Sequence, residues 1–116
     1  MKFYKMSTNL KLKTLTVNFI GWLKPEQYEE YFADYRRLLR NLNPSETKLI
    51  LEMSCFAIEL PSTVKKLRTV ARLYRDTGFK TIEVRVNRPQ KVLKEHIEHL
   101  IKLENINNMY VIFNAQ

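Results

Sequence analysis

Residues 48–63, KLILEMSCFAIELPST, join a long hydrophobic run to residues that are typical of a turn and a helix start. The run Lys48–Ile58 is nearly continuous in apolar side chains, which is typical of a central strand buried on both faces between parallel neighbours. The turn Glu59–Thr63 leads into a helix, and Ser62 stands where a side-chain cap is expected. Ligands of parallel sheets usually lie beyond the carboxyl ends of strands. This turn is therefore the first candidate for a functional site.

The segments around this stretch alternate between strands and helices. The first helix begins at Pro25 and carries an apolar stripe at helical spacing. We expect a second helix over about Thr63–Asp76, with a left-handed cap at Gly78, and a third helix from Pro89. The stripe of the first helix consists of Tyr28, Tyr31, Phe32, Tyr35, Leu38, Leu39 and Leu42. Strands are predicted at Lys2–Met6, Leu12–Leu23, Lys48–Ile58, Thr81–Val86 and Met109–Phe113. The pattern predicts one α/β domain over residues 1–116, with a four- to five-stranded, mixed but largely parallel sheet and three main helices.

The composition excludes several kinds of chemistry. Two glycines cannot provide a Walker loop or a dinucleotide-binding fingerprint, and one cysteine with two histidines cannot form a Cys/His zinc cluster. No nucleophile–base pair or coupled pair of carboxylates stands at a recognisable spacing. We expect His96 and His99 on a solvated helix edge and Cys55 in the core. The sequence therefore predicts a protein that is not an enzyme and holds no metal or cofactor.

The cellular location follows from what the sequence lacks. No window approaches 18 consecutive apolar residues, so neither a transmembrane helix nor a membrane partner is expected. The first residues, Met1–Lys5, lack the apolar run and cleavage site of a signal peptide. A single cysteine is consistent with a reducing compartment. We expect a cytoplasmic protein.

The formal net charge of +8 is concentrated in one stretch. Between Pro61 and Lys94 there are ten Lys and Arg against two acidic residues, and the rest of the chain has ten basic against ten acidic. Four of these cations, Lys65, Arg68, Arg72 and Arg75, recur at helical spacing and form a basic stripe along one flank of the second helix. The candidate residues for binding an anion or an acidic partner are Glu59, Lys65, Lys66, Arg68, Arg72 and Arg75. Their pattern fits three alternatives: a nucleic-acid footprint, a solvated face, and a face matched to an acidic protein.

Two features resemble the STAS domain, the fold of bacterial anti-sigma factor antagonists. The strand that ends in Gly21-Trp22-Leu23 before a helix is similar to the Gly-x-Leu turn of that family. The hydrophobic strand 49–58, followed by hydroxyl residues at a helix start, is similar to the strand before the family's Asp-Ser-Ser/Thr-Gly motif. In this sequence the acidic residue is Glu59, which is displaced in register from the family's Asp, and no Gly follows the hydroxyl residues Ser62 and Thr63. The stretch Pro61–Lys65 is closer to the Thr-Ser-Ser-Ile-Lys-like stretch of SiaC-type bacterial regulators.

The resemblance implies a non-enzymatic regulator that binds a protein partner, such as a kinase, a phosphatase or an anti-sigma-like regulator. In the family, a Ser or Thr at this helix start is phosphorylated, which breaks a protein–protein complex. The resemblance thus makes Ser62 and Thr63 phosphorylation candidates, whereas the residues alone favour plain capping by Ser62. Two alternatives remain for the whole protein: a nucleic-acid-associated accessory protein that uses the basic surface, and a structural or assembly protein, including one encoded by a phage.

Overall fold

The strands of the computed structural model form one sheet whose spatial order follows the chain order. The structure describes residues 3–21, 25–56 and 61–114, with Pro25 and residues 61–64 described by their backbone alone. The strands are β1 (Tyr4–Asn9), β2 (Thr14–Phe19), β3 (Lys48–Glu52), β4 (Thr81–Val86) and β5 (Met109–Phe113). β1 is antiparallel to β2, and the other neighbouring pairs are parallel. The predicted α/β class with a mixed, largely parallel sheet is confirmed.

Three α-helices connect the parallel strands: α1 (Tyr28–Leu39), α2 (Pro61–Thr77) and α3 (Lys91–Leu103). In a sheet with this strand order, right-handed crossovers place all connecting helices on one face. The burial pattern agrees, because Tyr31 of α1, Val70 of α2 and Ile97 of α3 share one core with the inward side chains of the strands. Within the described ranges, no helix combines the length and hydrophobicity that crossing a lipid bilayer requires.

The sheet face opposite the helices is polar, and we call it the open face. Its centre is Glu83, which is only 7% exposed. The carboxylate accepts hydrogen bonds from Lys48 Nζ (3.1 Å), Tyr110 OH (2.9 Å) and Arg85 Nε (2.6 Å). Burial raises the pKa of Glu83, but these hydrogen bonds outweigh that effect and hold the pKa below its ordinary value. Ile50, opposite Glu83 in the parallel register, is buried although no described helix covers it.

The apolar stripe of α1 packs inward as predicted. Its tyrosines Tyr28, Tyr31 and Tyr35 are buried, and the other stripe residues pack against the same core. The hydroxyls of Tyr31 and Tyr74 are hydrogen-bonded to each other, and Tyr35 OH lies 2.7 Å from Thr77 Oγ1. These bonds join α1 to α2, and they satisfy polar atoms whose burial would otherwise be unfavourable.

Three strand predictions are wrong in extent. β3 ends at Glu52 rather than Ile58, because the chain turns at residues 54 and 55, where the Phe56 N–H donates to Met53 O (3.0 Å). This turn exposes Cys55, so its predicted place in the core is also wrong. β1 and β2 have other bounds than predicted, and Ile20 after β2 is half exposed. Residues 22–24 and 57–60, and with them Trp22, Leu23 and Glu59, lie outside the described residues.

Gly78 follows the last residue of α2 in the left-handed conformation, with a φ of +83°. The predicted cap is therefore confirmed. Among the described atoms, none lies within 4 Å of the place where a Cβ would stand. The requirement for glycine is thus conformational rather than steric.

We expect Gly78→Ala to lower the free energy of unfolding by about 1 kcal/mol, because an alanine pays the backbone cost of the left-handed region. Gly78→Asn should lose less, since asparagine adopts this region more readily. Urea denaturation of both variants measures the difference. Equal losses, or no loss in the alanine variant, would contradict this explanation.

Candidate functional site

The candidate site begins where α2 starts, after the carboxyl end of the middle strand β3. Pro61 is the first helical residue, a position where its missing N–H costs no hydrogen bond. Ser62 therefore lies inside the first turn, and the prediction that it occupies the N-cap position is wrong. Thr63 follows it in the same turn. The side chains of these two residues lie outside the described part of the structure, as does all of Glu59.

The arginines of α2 converge on one carboxylate, that of Glu104 at the end of α3. Arg68 Nε lies 2.7 Å from Glu104 Oε1, and Arg72 Nε is 3.0 Å from both oxygens. Arg75 Nη1 donates to the Glu104 backbone oxygen at 3.0 Å and lies 3.4 Å from Oε2. The predicted basic stripe is thus neither a freely solvated face nor a row of unpaired cations, as a nucleic-acid footprint would require. We call these four residues the arginine cluster.

Glu104 is nearly buried within this cluster, with 7% of its side chain exposed. Hydrogen bonds from Arg72 and Arg68 lower the pKa of Glu104 to about 2, because they stabilise the ionised form. The arginine side chains remain between 36% and 48% exposed. Three guanidiniums carry more N–H donors than one carboxylate can accept. The cluster therefore keeps donors and positive charge for a second acidic group.

Lys65 and Lys66 extend the positive surface towards the first turn of α2, and both are exposed. The Lys66 ammonium lies 5.2 Å from the centre of the Tyr28 ring, which is a cation–π contact with α1. Asp76 belongs to the same surface, where it pairs with Arg75 at 2.9 Å. The surface of α2 and Glu104 thus holds two negative charges, Asp76 and Glu104, and five positive charges: Lys65, Lys66, Arg68, Arg72 and Arg75. The structure thus places Lys65 and Lys66 within about one turn of Ser62 and Thr63, and the arginines farther along the same helix.

The other basic residues of the stretch 61–94 lie elsewhere. Arg85 belongs to the open face, whereas Arg88 and Lys94 both lie over the Phe113 ring of β5, at 5.8 and 5.5 Å from its centre. The charge surplus that looks continuous in the sequence is therefore divided among several surfaces. Of these, α2 carries the largest group of cations.

Sequence reasoning missed Glu104, which is the residue that organises the site. It lies 29 to 36 positions from the arginines that it binds, in a part of the chain where charges balance. The available signal was the turn Asn105–Asn108, because it predicts that α3 ends just before this turn. A residue at that end of α3 would lie beside the neighbouring helix α2. Only the packing of α3 beside α2 makes the contact visible.

The chain was compared with models of known protein families and with curated proteins, and it matches none of them. The likeness to the STAS domain therefore rests on the quoted residues alone. A shared fold class does not establish a function, so the function must be argued from the site.

The low pKa of Glu104 predicts how stability depends on pH. In the unfolded chain this carboxyl group titrates near its ordinary value of 4.5, and in the folded protein near 2. Its contribution to stability is therefore complete above pH 4.5 and is lost as the pH falls towards 2. We expect Glu104→Gln to be less stable than wild type at pH 7, with the difference shrinking as the pH approaches 2.

Urea denaturation between pH 7 and pH 2 measures this dependence. Glu95→Gln, on the exposed side of α3, is the matched control for the loss of one negative charge. A constant difference between wild type and Glu104→Gln over this range would contradict the assignment.

Proposed function

We propose that the protein is a non-enzymatic, STAS-like regulator that binds an acidic region of a protein partner through α2. The observation that carries this proposal is the arginine cluster: an internal carboxylate aligns three guanidiniums and still leaves them partly exposed. Arginine forks of this kind favour carboxylate and phosphate groups. The partner class implied by the resemblance is a kinase, a phosphatase or an anti-sigma-like regulator.

Phosphorylation of Ser62 or Thr63 is the proposed switch. A phosphate adds a charge of about −1.5 to −2 at the positive end of a helix, where it is stabilised. It would stand within about one turn of Lys65 and Lys66, and it would compete with an acidic partner for them. The modification would therefore release the partner.

Nucleic acid is the second candidate for the partner. The distribution of the positive charge over several separate surfaces argues against it. Three of the four predicted stripe cations contact Glu104, and Arg85 and Arg88 lie on other surfaces. A nucleic-acid footprint needs a continuous row of cations that replace counterions. Steep weakening of nucleic-acid binding with salt in a mobility-shift assay would favour this candidate instead.

We expect Ser62→Asp or Thr63→Asp to weaken partner binding about fivefold, because one added negative charge near several cations is worth roughly 1 kcal/mol. The partner is first identified by affinity capture from the native host, and its binding is then measured by calorimetry. Ser62→Ala and Thr63→Ala should bind normally. Ser7→Asp, on an exposed position of β1, controls for the added charge alone.

Mass spectrometry of the protein from its native host tests the switch separately. We expect a phosphate on Ser62 or Thr63 under at least one growth condition. The switch would be refuted by unmodified hydroxyls under all conditions together with full partner binding by the aspartate variants.

A further inference from the structure

The outer surface where α2 and α3 lie side by side carries a row of α3 side chains that the core does not use. One flank of α3 faces away from α2, since its Lys94 lies over the Phe113 ring of β5, the strand at the edge of the sheet. The opposite flank therefore faces the neighbouring helix α2. On this flank the residues at positions i, i+4, i+7 and i+11 are Val92, His96, His99 and Leu103.

This flank keeps two large apolar side chains in contact with solvent. Val92 is 79% exposed, the highest fraction among the large hydrophobic residues in the ranges that the structure describes, and Leu103 is 49% exposed. Between them lie the half-buried His96 and the exposed His99, whose rings add apolar surface with a polar tip. The distance from Val92 to Leu103 is about 16 Å along the helix axis, or about three turns. We call these four residues the α3 strip.

Cations of α2 border the α3 strip even after the internal ion pairs have been counted. At the end of the strip, Leu103 precedes Glu104, whose carboxylate accepts a hydrogen bond from Arg68 Nε at 2.7 Å. On the same flank of α2, Lys65 is exposed about one turn before Arg68. Glu104 and Asp76 balance two of the four positive charges in the basic stripe of this flank. Two positive charges therefore remain beside the strip for acidic groups of a partner.

The chemistry of this surface selects a helix as its occupant. α2 and α3 satisfy their own backbone groups, so a docked strand would leave its N–H and C=O groups without partners, whereas a helix satisfies them internally. Apolar side chains of such a helix would cover the α3 strip. Acidic side chains on its flank would meet the cations of α2, whose guanidiniums favour carboxylates.

No helix in the described ranges of this chain has both properties, so a second copy does not supply the occupant. The acidic residues Glu29 and Glu30 begin α1, but the apolar stripe of that helix packs in the core. α2 and α3 each carry more Lys and Arg than Asp and Glu. The occupant therefore belongs to another protein.

We infer that the partner docks an amphipathic helix, apolar on one side and acidic on its flank, over the α3 strip and along the basic stripe of α2. This inference rests on the proposed function, which supplies the acidic partner. It adds the secondary structure of the partner segment and a second, apolar half of the site on α3. Binding therefore depends on Val92 and Leu103 as well as on the cations of α2.

Three synthetic peptides of about 15 residues, long enough to span the α3 strip, are the probes, and calorimetry measures their binding to the full chain. The first has Leu at i, i+4, i+7 and i+11 with Glu beside this row in an Ala background. The second has the same composition in a shuffled order without an apolar face, and the third is the first with one central Ala replaced by Pro. We expect the first to bind about tenfold more tightly than the others, because only it forms an amphipathic helix. Equal binding of all three peptides, or no binding of the first, would overturn the inference.

Variants of the protein at exposed positions separate this inference from the proposed function. Val92→Ser and Leu103→Ser should each weaken binding of the amphipathic peptide about fivefold and leave the shuffled peptide unaffected, because they remove apolar contact alone. Lys65→Gln should weaken both peptides about threefold, because it removes a charge that either peptide meets. Leu12→Ser, at a position that is 68% exposed between β1 and β2, is the matched control and should change neither.

The outcomes distinguish the two ideas. If Lys65→Gln weakens binding and the α3 variants do not, the inference is overturned while the proposed function stands. If Lys65→Gln changes the binding of neither peptide, both are overturned. An effect of Leu12→Ser as large as that of Val92→Ser would also overturn the inference.

Discussion

The strand order repeats the chain order from β1 to β5, and it determines where each helix lies. With one handedness of crossover, this order stacks the helices side by side on a single face. α2 is then the middle helix and shares both flanks with its neighbours. Tyr74 meets Tyr31 of α1 on one flank, and the arginines meet Glu104 of α3 on the other. The orientation of α2, and with it the position of its first turn, is therefore determined from both sides.

The arginine cluster is a consequence of that packing. Three guanidiniums on one helix flank repel each other unless an anion lies between them. Glu104 supplies this anion from within the chain, and its almost complete burial keeps it in place. The cations are thus held in position before any partner arrives, which lowers the entropy lost on binding. The same carboxylate also limits their charge, which supports our proposal of an acidic protein partner over a polyanion.

The helices could be predicted because their signals are local. The stripe of α1 has helical spacing, and Gly78 marks the end of α2 with a residue that tolerates a positive φ. The end of β3 could not be predicted, since the apolar run continues to Ile58 and only tertiary contacts decide where the chain leaves the sheet. Cys55 was misplaced for this reason. Glu104 was missed because its role depends on a long-range contact that no local pattern encodes.

Site-specific photo-crosslinking in the native host reports which face of the protein contacts the proposed partner. A photoreactive residue in place of the exposed Lys66 on α2 is compared with one in place of Thr16 on the open face. We expect one defined cross-linked protein from position 66 and none from position 16. Cross-links from position 16 alone, or cross-links to nucleic acid instead of protein from position 66, would contradict this expectation.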